Sequence, residues 1–147
     1  MALPASVTTL GESCFEKATI TGIDMSAATG LTVIPESAFA SCTLLKAVSL
    51  PNSITEIKDK AFASCSQIKT FTMPSTQIKL GHDILQSSGS GLELTLPANV
   101  TQFYEDTFES AKVAKYIQTT AGDKSLVKVV NECVLSKDGK ILYAYPL

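Results

Sequence analysis

His82 is the only histidine of the chain, and general-base or nucleophilic catalysis by a Ser-His or Cys-His pair would have to use it. It lies between Gly81 and Asp83 in a stretch that reads as an irregular turn. No nucleophile in an elbow lies near it, and the sequence has no phosphate-binding glycine loop and no H-E-x-x-H zinc motif. We therefore predict that His82 is a solvated turn residue and that the protein is not an enzyme. A hydrolase that uses His82 is kept as a third alternative.

The cysteines are the next residues whose side chains could bind a metal or act in redox chemistry. They are Cys14, Cys42, Cys65 and Cys133. They lie far apart and form no C-x-x-C pair, so they indicate neither a zinc site nor a redox motif. Carboxylates show no pairing that would predict an acid–base dyad. We assign no catalytic residue, no metal ligand and no cofactor.

Composition excludes several classes of protein. The chain has 147 residues, of which 45% are hydrophobic and 18% charged, so it carries enough apolar side chains to fold. Its net charge is −2 and all its basic residues are lysines, which argues against nucleic acid as a partner. No apolar run is long enough to span a membrane. The first six residues lack a charged and apolar leader, so we predict no signal peptide.

An internal repeat of 23 or 24 residues is the strongest pattern in the sequence. Its most regular column contains Phe15, Phe39, Phe62, Leu85 and Phe108. A second apolar column lies five positions earlier and contains Leu10, Ile34, Ile57, Leu80 and Phe103. Self-similarity at this period is typical of a solenoid, in which each unit buries the apolar face of its neighbour. We predict one domain with these columns in its core, and one helical or 3₁₀ turn carrying each phenylalanine.

Each unit contains one clear strand, ending at a Leu-Pro or Met-Pro step, and strands of successive units should pair in parallel. Alternate residues of each strand, such as Phe71 and Leu94, then face the core. The intervening residues form a flat, hydroxyl-rich candidate binding face, which contains Asp24, Ser49, Thr70, Thr72, Glu93, Thr95, Tyr116 and Gln118. Two interpretations stay open: a protein- or glycan-binding face, or a solvated sheet surface where threonine suits the pleat.

The repeat also bears on Cys42 and Cys65, which are 23 residues apart and should stack on adjacent coils. Strand spacing of about 4.8 Å falls within the Cα separation that a disulfide accepts. The alternative is a pair of reduced thiols that act as small apolar residues. Ser88 and Ala111 occupy the same column, which favours the reduced thiols.

The last part of the chain differs from the repeat. Two apolar runs flank Asp138-Gly139, a strong signal for an antiparallel hairpin. We predict a solenoid over residues 1–118 and a hairpin cap over residues 119–147, within the same domain. The Gly/Ser-rich segment 86–91 keeps the period and is interpreted as a loose loop on the outer side of its coil.

The repeat resembles the BspA-like leucine-rich repeat family. Residues 50–57 read LPNSITEI and residues 61–65 read AFASC, and the same pattern opens at Leu3-Pro4 and at Leu96-Pro97. The resemblance covers about residues 3–118. It implies an α/β repeat fold, a right-handed leucine-rich-repeat solenoid of about five units. One side would carry a short parallel β-sheet, the other side turns or short helical turns, and a β-hairpin would cap the C-terminus.

The resemblance implies a function more loosely than a fold. Members are typically surface or secreted proteins, so it implies a cell-surface or secreted location and non-catalytic adhesion. The partner would be a host matrix protein such as fibronectin or fibrinogen, or a protein of a neighbouring cell. The alternative is an architectural spacer of a longer multi-block surface protein, with no ligand of its own.

Overall fold

The computed structural model describes residues 1–74, 77–118 and 121–147, which form a parallel-sheet β-solenoid of about four turns. Its strands are short because each crosses only one side of a coil. They are β1 (Gly22–Asp24), β2 (Val33–Ile34), β3 (Ala47–Ser49), β4 (Glu56–Ile57), β5 (Thr70–Thr72), β6 (Gln77–Leu80), β7 (Leu92–Thr95), β8 (Asn99–Gln102), β9 (Val113–Ile117), β10 (Val127–Val130), β11 (Cys133–Ser136) and β12 (Leu142–Ala144).

A typical unit contributes two short strands, one more than predicted, and the parallel pairing predicted for the first strand of each unit is confirmed. The predicted strands form two parallel sheets, β1-β3 and β5-β7-β9. A second set, β2-β4-β6-β8, forms a four-stranded parallel sheet that the sequence pattern does not predict. Two-residue strands such as Val33–Ile34 are too short to show a period of two, which is why this sheet has a weak signal in the sequence.

The phenylalanine column lies in the core as predicted. The rings of Phe15 and Phe39 stack with centroids 5.0 Å apart, and those of Phe39 and Phe62 stack at 5.1 Å. Leu85 continues the column fully buried, and Phe108 is 6% exposed. Stacking identical side chains from successive coils removes both ring faces from water, which no single unit could do.

The segments that carry the phenylalanines are stacked turns, and the described residues contain no helix, so the predicted helical turns are wrong. Around Phe39, alternate N–H groups bond within the turn, such as Ala40 N–H to the Ser37 carbonyl at 3.0 Å. The intervening ones bond to the next coil, such as Phe39 N–H to the Ala61 carbonyl at 2.8 Å. Ser37 and Ser41 have φ of 53° and 60°, which breaks any helical run. A helix would withdraw these N–H groups from the inter-coil ladder.

The segment at residues 86–91 is also more ordered in its packing than the predicted loose loop. Ser88 is 2% exposed, and its N–H donates to the Leu85 carbonyl at 3.0 Å. A Cβ built on Gly89 would overlap the backbone carbonyl of Ser66 on the preceding coil. Glycine at position 89 therefore allows the backbones of Gly89 and Ser66 to approach closely, and it does not serve to make the segment flexible.

The C-terminal hairpin is confirmed, and a third strand extends it. Strands β10, β11 and β12 form an antiparallel sheet in that order. Gly139 has φ of 80° in the predicted turn, and the Ser136 hydroxyl donates to the Asp138 carboxylate at 2.6 Å. Tyr143 packs its ring 5.1 Å from that of Phe103 and covers the last coil. The division after residue 118 stays a prediction, and it adjoins Thr119 and Thr120, which lie outside the described residues.

Candidate binding face and functional side chains

Most of the predicted face residues lie on the outer surface of the two sheets β1-β3 and β5-β7-β9. Parallel pairing aligns Asp24 with Ser49, Thr70 with Glu93, and Thr72 with Thr95. All of these side chains are exposed except that of Thr95, which is half-buried. The inward neighbours Ile23 and Phe71 are 2% and 1% exposed. The period of two along each strand is the physical reason for this separation into two faces.

Tyr116 does not belong to this face, and its predicted orientation is wrong. A β-bulge between Leu92 and Glu93 shifts the register, so that Tyr116 pairs with Leu94 and is 3% exposed. Burial raises the pKa of its phenol above the usual value. Lys115 takes the outward position opposite Glu93. The sequence contained an indication of this orientation. An outward Tyr116 would have placed Lys115 at an inward position, where burial of its charge is costly.

Gln118 also leaves the predicted face, because the same shift brings Ile117 opposite Thr95. Its side chain is half-buried and both ends of its amide are engaged. The NH₂ group donates to the Pro97 carbonyl at 2.8 Å, and the amide oxygen accepts from the Val129 N–H at 3.1 Å. Gln118 therefore connects the C-terminal sheet to the last coil rather than presenting its amide to solvent.

The remaining face has weak and mixed charge. Asp24 accepts hydrogen bonds from the Ser26 hydroxyl at 2.7 Å and the Ser26 N–H at 2.9 Å, and these bonds lower the pKa of its carboxyl. Glu93 and Lys115 lie opposite each other on β7 and β9. The centre of the face consists of the hydroxyls of Ser49, Thr70, Thr72 and Thr95.

A groove interrupts this face between β3 and β5, which do not pair with each other. Its volume is about 420 Å³. Its lining consists of Val48, Ser49, Leu50, Asn52, Thr72, Met73 and Pro74. A second surface cavity of about 370 Å³ lies beside the other sheet, with Thr8, Thr32, Glu56 and Lys58 among its lining residues.

His82 lies at a surface pocket of about 510 Å³. Its Nδ1 lies 2.6 Å from the Asp106 carboxylate, and its ring stacks on that of Tyr104 with centroids 3.9 Å apart. Glu105 and Glu109 also line the pocket. This arrangement places His82 between the Asp106 carboxylate and the Tyr104 ring, and nothing in it shows catalytic activity.

All four cysteines are free. The Cys42 thiol donates to the Phe15 carbonyl at 2.9 Å, and the Cys65 thiol donates to the Phe39 carbonyl at 3.1 Å. Burial raises the pKa of both thiols, that of Cys65 to about 12. Such thiols are poor nucleophiles and act here as small buried donors that connect one coil to the previous one.

Neither a metal site nor a membrane span is found in the part of the chain that the structure describes. No group of three or more His, Cys, Asp or Glu residues there is arranged to hold an ion. None of its segments is a helix long and apolar enough to cross a bilayer.

The repeat identifies the family of the chain. A family model described as a BspA type leucine rich repeat region matches residues 1–115 with six copies, so the chain belongs to this family. Members of this family are typically protein-interaction modules and are generally non-catalytic. The family is associated with surface or secreted bacterial proteins. No curated protein matches the chain.

Solved structures with the same fold come from bacterial leucine-rich repeat proteins. The protein from T. pallidum has 23% sequence identity and a TM-score of 0.68, over 78% of this chain and 56% of that one. The protein from Eubacterium ventriosum has 21% identity and a TM-score of 0.61, over 91% of this chain and 41% of that one. The chain thus spans about half the length of these relatives. At this identity the likeness establishes the fold.

Proposed function

We propose that the chain is a non-catalytic protein-binding module of a cell-surface or secreted protein. It engages a host matrix protein or a protein of a neighbouring cell through the outer face of β1, β3, β5, β7 and β9. The observation that carries this proposal is the outward-facing, weakly charged row of Ser49, Thr72 and Thr95 on a scaffold whose family is typical of protein interaction. Ser49 and Thr72 are exposed, and Thr95 is half-buried. A rigid sheet presents such side chains without a further entropic cost of ordering them.

The face itself supports a protein partner better than a nucleic acid. Its charged side chains, Asp24, Glu93 and Lys115, do not form a basic stripe of the kind that phosphate binding needs. Hydroxyls at the spacing of parallel strands match the alternating donors and acceptors of a polypeptide or a glycan. The architectural spacer is the competing function, because a stacked solenoid of this kind would hold other domains apart without binding anything through this face.

The test is a binding measurement on immobilised fibronectin and fibrinogen with the full chain. The variant Thr72→Arg/Thr95→Arg places two bulky charges on the face. The matched control Thr32→Arg/Thr55→Arg makes the same change at two exposed threonines beside the other sheet. We expect the face variant to weaken binding at least about tenfold, as loss of a central contact does, and the control to bind as the parent does. Thr95 is half-buried, so the melting temperature of each variant is measured to show that it remains folded.

The outcomes separate the two functions. If the parent binds and only the control variant loses affinity, the proposed face is wrong. If the parent binds neither matrix protein nor a purified neighbouring-cell surface protein, the spacer is the better description.

A further inference from the structure

In the described part of the chain, the hydrogen bonds between the phenylalanine turns of successive coils run in one direction. The Phe15 N–H donates to the Ala38 carbonyl at 2.8 Å, and the Phe39 N–H donates to the Ala61 carbonyl at 2.8 Å. The N–H groups two residues before and two residues after these phenylalanines also bond to the following coil, at 2.7 to 3.1 Å. Each turn therefore donates to the coil that follows it and accepts from the coil that precedes it.

This direction leaves opposite groups unpaired on the first turn (residues 12–17, the Phe15 turn) and on the last (residues 105–110, the Phe108 turn). Among the described residues, no backbone N–H donates to the first turn's carbonyls at the accepting positions, which are those of Glu12, Cys14 and Glu16. No described carbonyl accepts from the last turn's N–H groups at the donating positions, which are those of Asp106, Phe108 and Ser110. Three acceptors and three donors at the same two-residue spacing are complementary, as two unpaired strand edges are.

The two turns are also complementary in their aromatic surfaces. The Phe15 ring stacks on Phe39 at 5.0 Å but is only half-buried, whereas Phe39 is fully buried. A surface cavity of about 170 Å³ lies beside Phe108, and its lining also contains Ser110, Ala111, Tyr116, Tyr143, Ala144, Tyr145 and Leu147. An apolar cavity of this size can hold an aromatic ring. One turn thus presents a ring, and the other presents a cavity that fits it.

The C-terminal sheet limits how much of the last coil a second molecule could contact. The Leu126 N–H donates to the Val100 carbonyl at 2.7 Å, so residues after the solenoid cover strand β8 of this coil. On the Phe108 turn, by contrast, Glu109 and Ser110 are exposed. A contact at this end is therefore restricted to the turn, where a single pair of charges can decide whether it forms.

The position directly after the phenylalanine column carries a different residue type on the outer turns. On the interior coils it is uncharged, being Ala40, Ala63 and Gln86. On the two outer turns it is an exposed glutamate, Glu16 and Glu109. Stacking the two outer turns would place these carboxylates on adjacent coils at equivalent positions, where like charges repel. Charges placed only at the two edges are a known device that prevents edges from joining.

We propose that two copies of this chain are complementary head to tail through the Phe15 and Phe108 turns, and that Glu16 and Glu109 keep the parent monomeric. In the contact, the N–H groups of the Phe108 turn donate to the carbonyls of the Phe15 turn of the next copy, and the Phe15 ring enters the cavity. Two identical ends cannot join in this way, because acceptors would face acceptors. The contact is therefore heterologous and propagates without closing.

Charge reversal in the full chain tests the proposal, with sedimentation velocity at low ionic strength as the measurement. Glu16→Lys places a cation opposite Glu109, and Glu109→Lys places one opposite Glu16. We expect each single variant to associate at least about tenfold more tightly than the parent, as reversal of a like-charge contact allows. Its mass should keep rising with concentration, while the parent sediments as a monomer.

The double variant makes the test specific for a contact between opposite ends. Glu16→Lys/Glu109→Lys restores two like charges across the contact, so we expect it to be monomeric like the parent. Glu132→Lys is the control, because it makes the same change of net charge at an exposed residue outside both turns. We expect this control to be monomeric. High salt should reduce the difference between the parent and the single variants, since it screens the charges.

Every other outcome overturns the proposal. Single variants that stay monomeric, an assembly that stops at a dimer, or a double variant that associates as tightly as the single ones would each show that the two turns do not meet. Association of Glu132→Lys, or of the parent at the same concentration, would show that these glutamates do not control assembly. Circular dichroism accompanies each measurement, and assembly that occurs only with loss of the parent spectrum likewise contradicts a contact between folded chains.

Discussion

The rings of Phe39 and Phe62 lie parallel, with an interplanar angle of 2° and centroids 5.1 Å apart, although the two residues are 23 positions apart along the chain. Phe62 also meets Phe71 edge-on at 4.9 Å. One residue of the repeat is thus in contact with the same residue of the previous coil and with a strand of its own coil. The stability of the solenoid should therefore depend strongly on this column.

Phe62→Ala should lower the free energy of unfolding by about 3–5 kcal/mol, because it leaves a cavity in contact with two other rings. Urea denaturation followed by circular dichroism measures the change. Leu44→Ala, at a residue that is 46% exposed, is the control and should cost less than about 1 kcal/mol. A loss below about 1 kcal/mol at Phe62 would contradict the stacked-coil arrangement.

Tyr116→Phe should make the stability less sensitive to alkaline pH. Burial raises the phenol pKa in the folded chain, while an unfolded tyrosine ionises near about 10. Because the unfolded state loses this proton first, the contribution of the raised pKa to the free energy of unfolding is fully present below about pH 10. It is lost above about pH 10, by up to about 1.4 kcal/mol per pH unit.

The measurement is the free energy of unfolding between pH 9 and 11 for the parent, for Tyr116→Phe and for Tyr145→Phe. Tyr145 is 60% exposed, so its variant should follow the parent while Tyr116→Phe shows a shallower decline. The same slope in all three proteins would mean that Tyr116 is not buried in solution.

Gly89→Ala should be strongly destabilising, by about 2 kcal/mol or more, because the added methyl meets the Ser66 carbonyl on the preceding coil. Gly22→Ala is the matched control, since a Cβ there makes only ordinary contacts with Ala47, the nearest at 3.6 Å. Thermal unfolding of the two variants gives the comparison. Equal melting temperatures would restore the interpretation of residues 86–91 as a loose loop.

The buried thiols should react much more slowly than the exposed one. With its pKa raised to about 12, the Cys65 thiol has a thiolate fraction of about 10⁻⁴ at pH 8. Iodoacetamide labelling at pH 8, followed by peptide mass spectrometry, should modify Cys14 well before Cys42 and Cys65, and urea should abolish the difference. Early and equal labelling of Cys65 and Cys14 would contradict the burial of the cysteine column.

The candidate face was predictable only in part, and the reason differs between residues. Thr72 and Thr95 face outwards because strict alternation along Thr70–Thr72 and Leu92–Thr95 sets which side chains face out, while their role in binding stays a prediction. Tyr116 was misplaced because one bulge residue shifts a strand by one position and reverses its two faces. Gln118 was misplaced by the same shift, which brings Ile117 opposite Thr95, and its amide then bonds to Pro97 and Val129.

The amino-acid sequence by itself determined the repeat, the phenylalanine column, the hairpin at Asp138-Gly139 and the family. These depend on residue identity at a fixed period or on a local turn, and both are visible along one chain. Only the tertiary structure decided that the phenylalanine turns are not helices, that a second sheet exists, and that β3 separates from β5. Each of these depends on which backbone N–H bonds across to the next coil, and that choice is made by packing between coils.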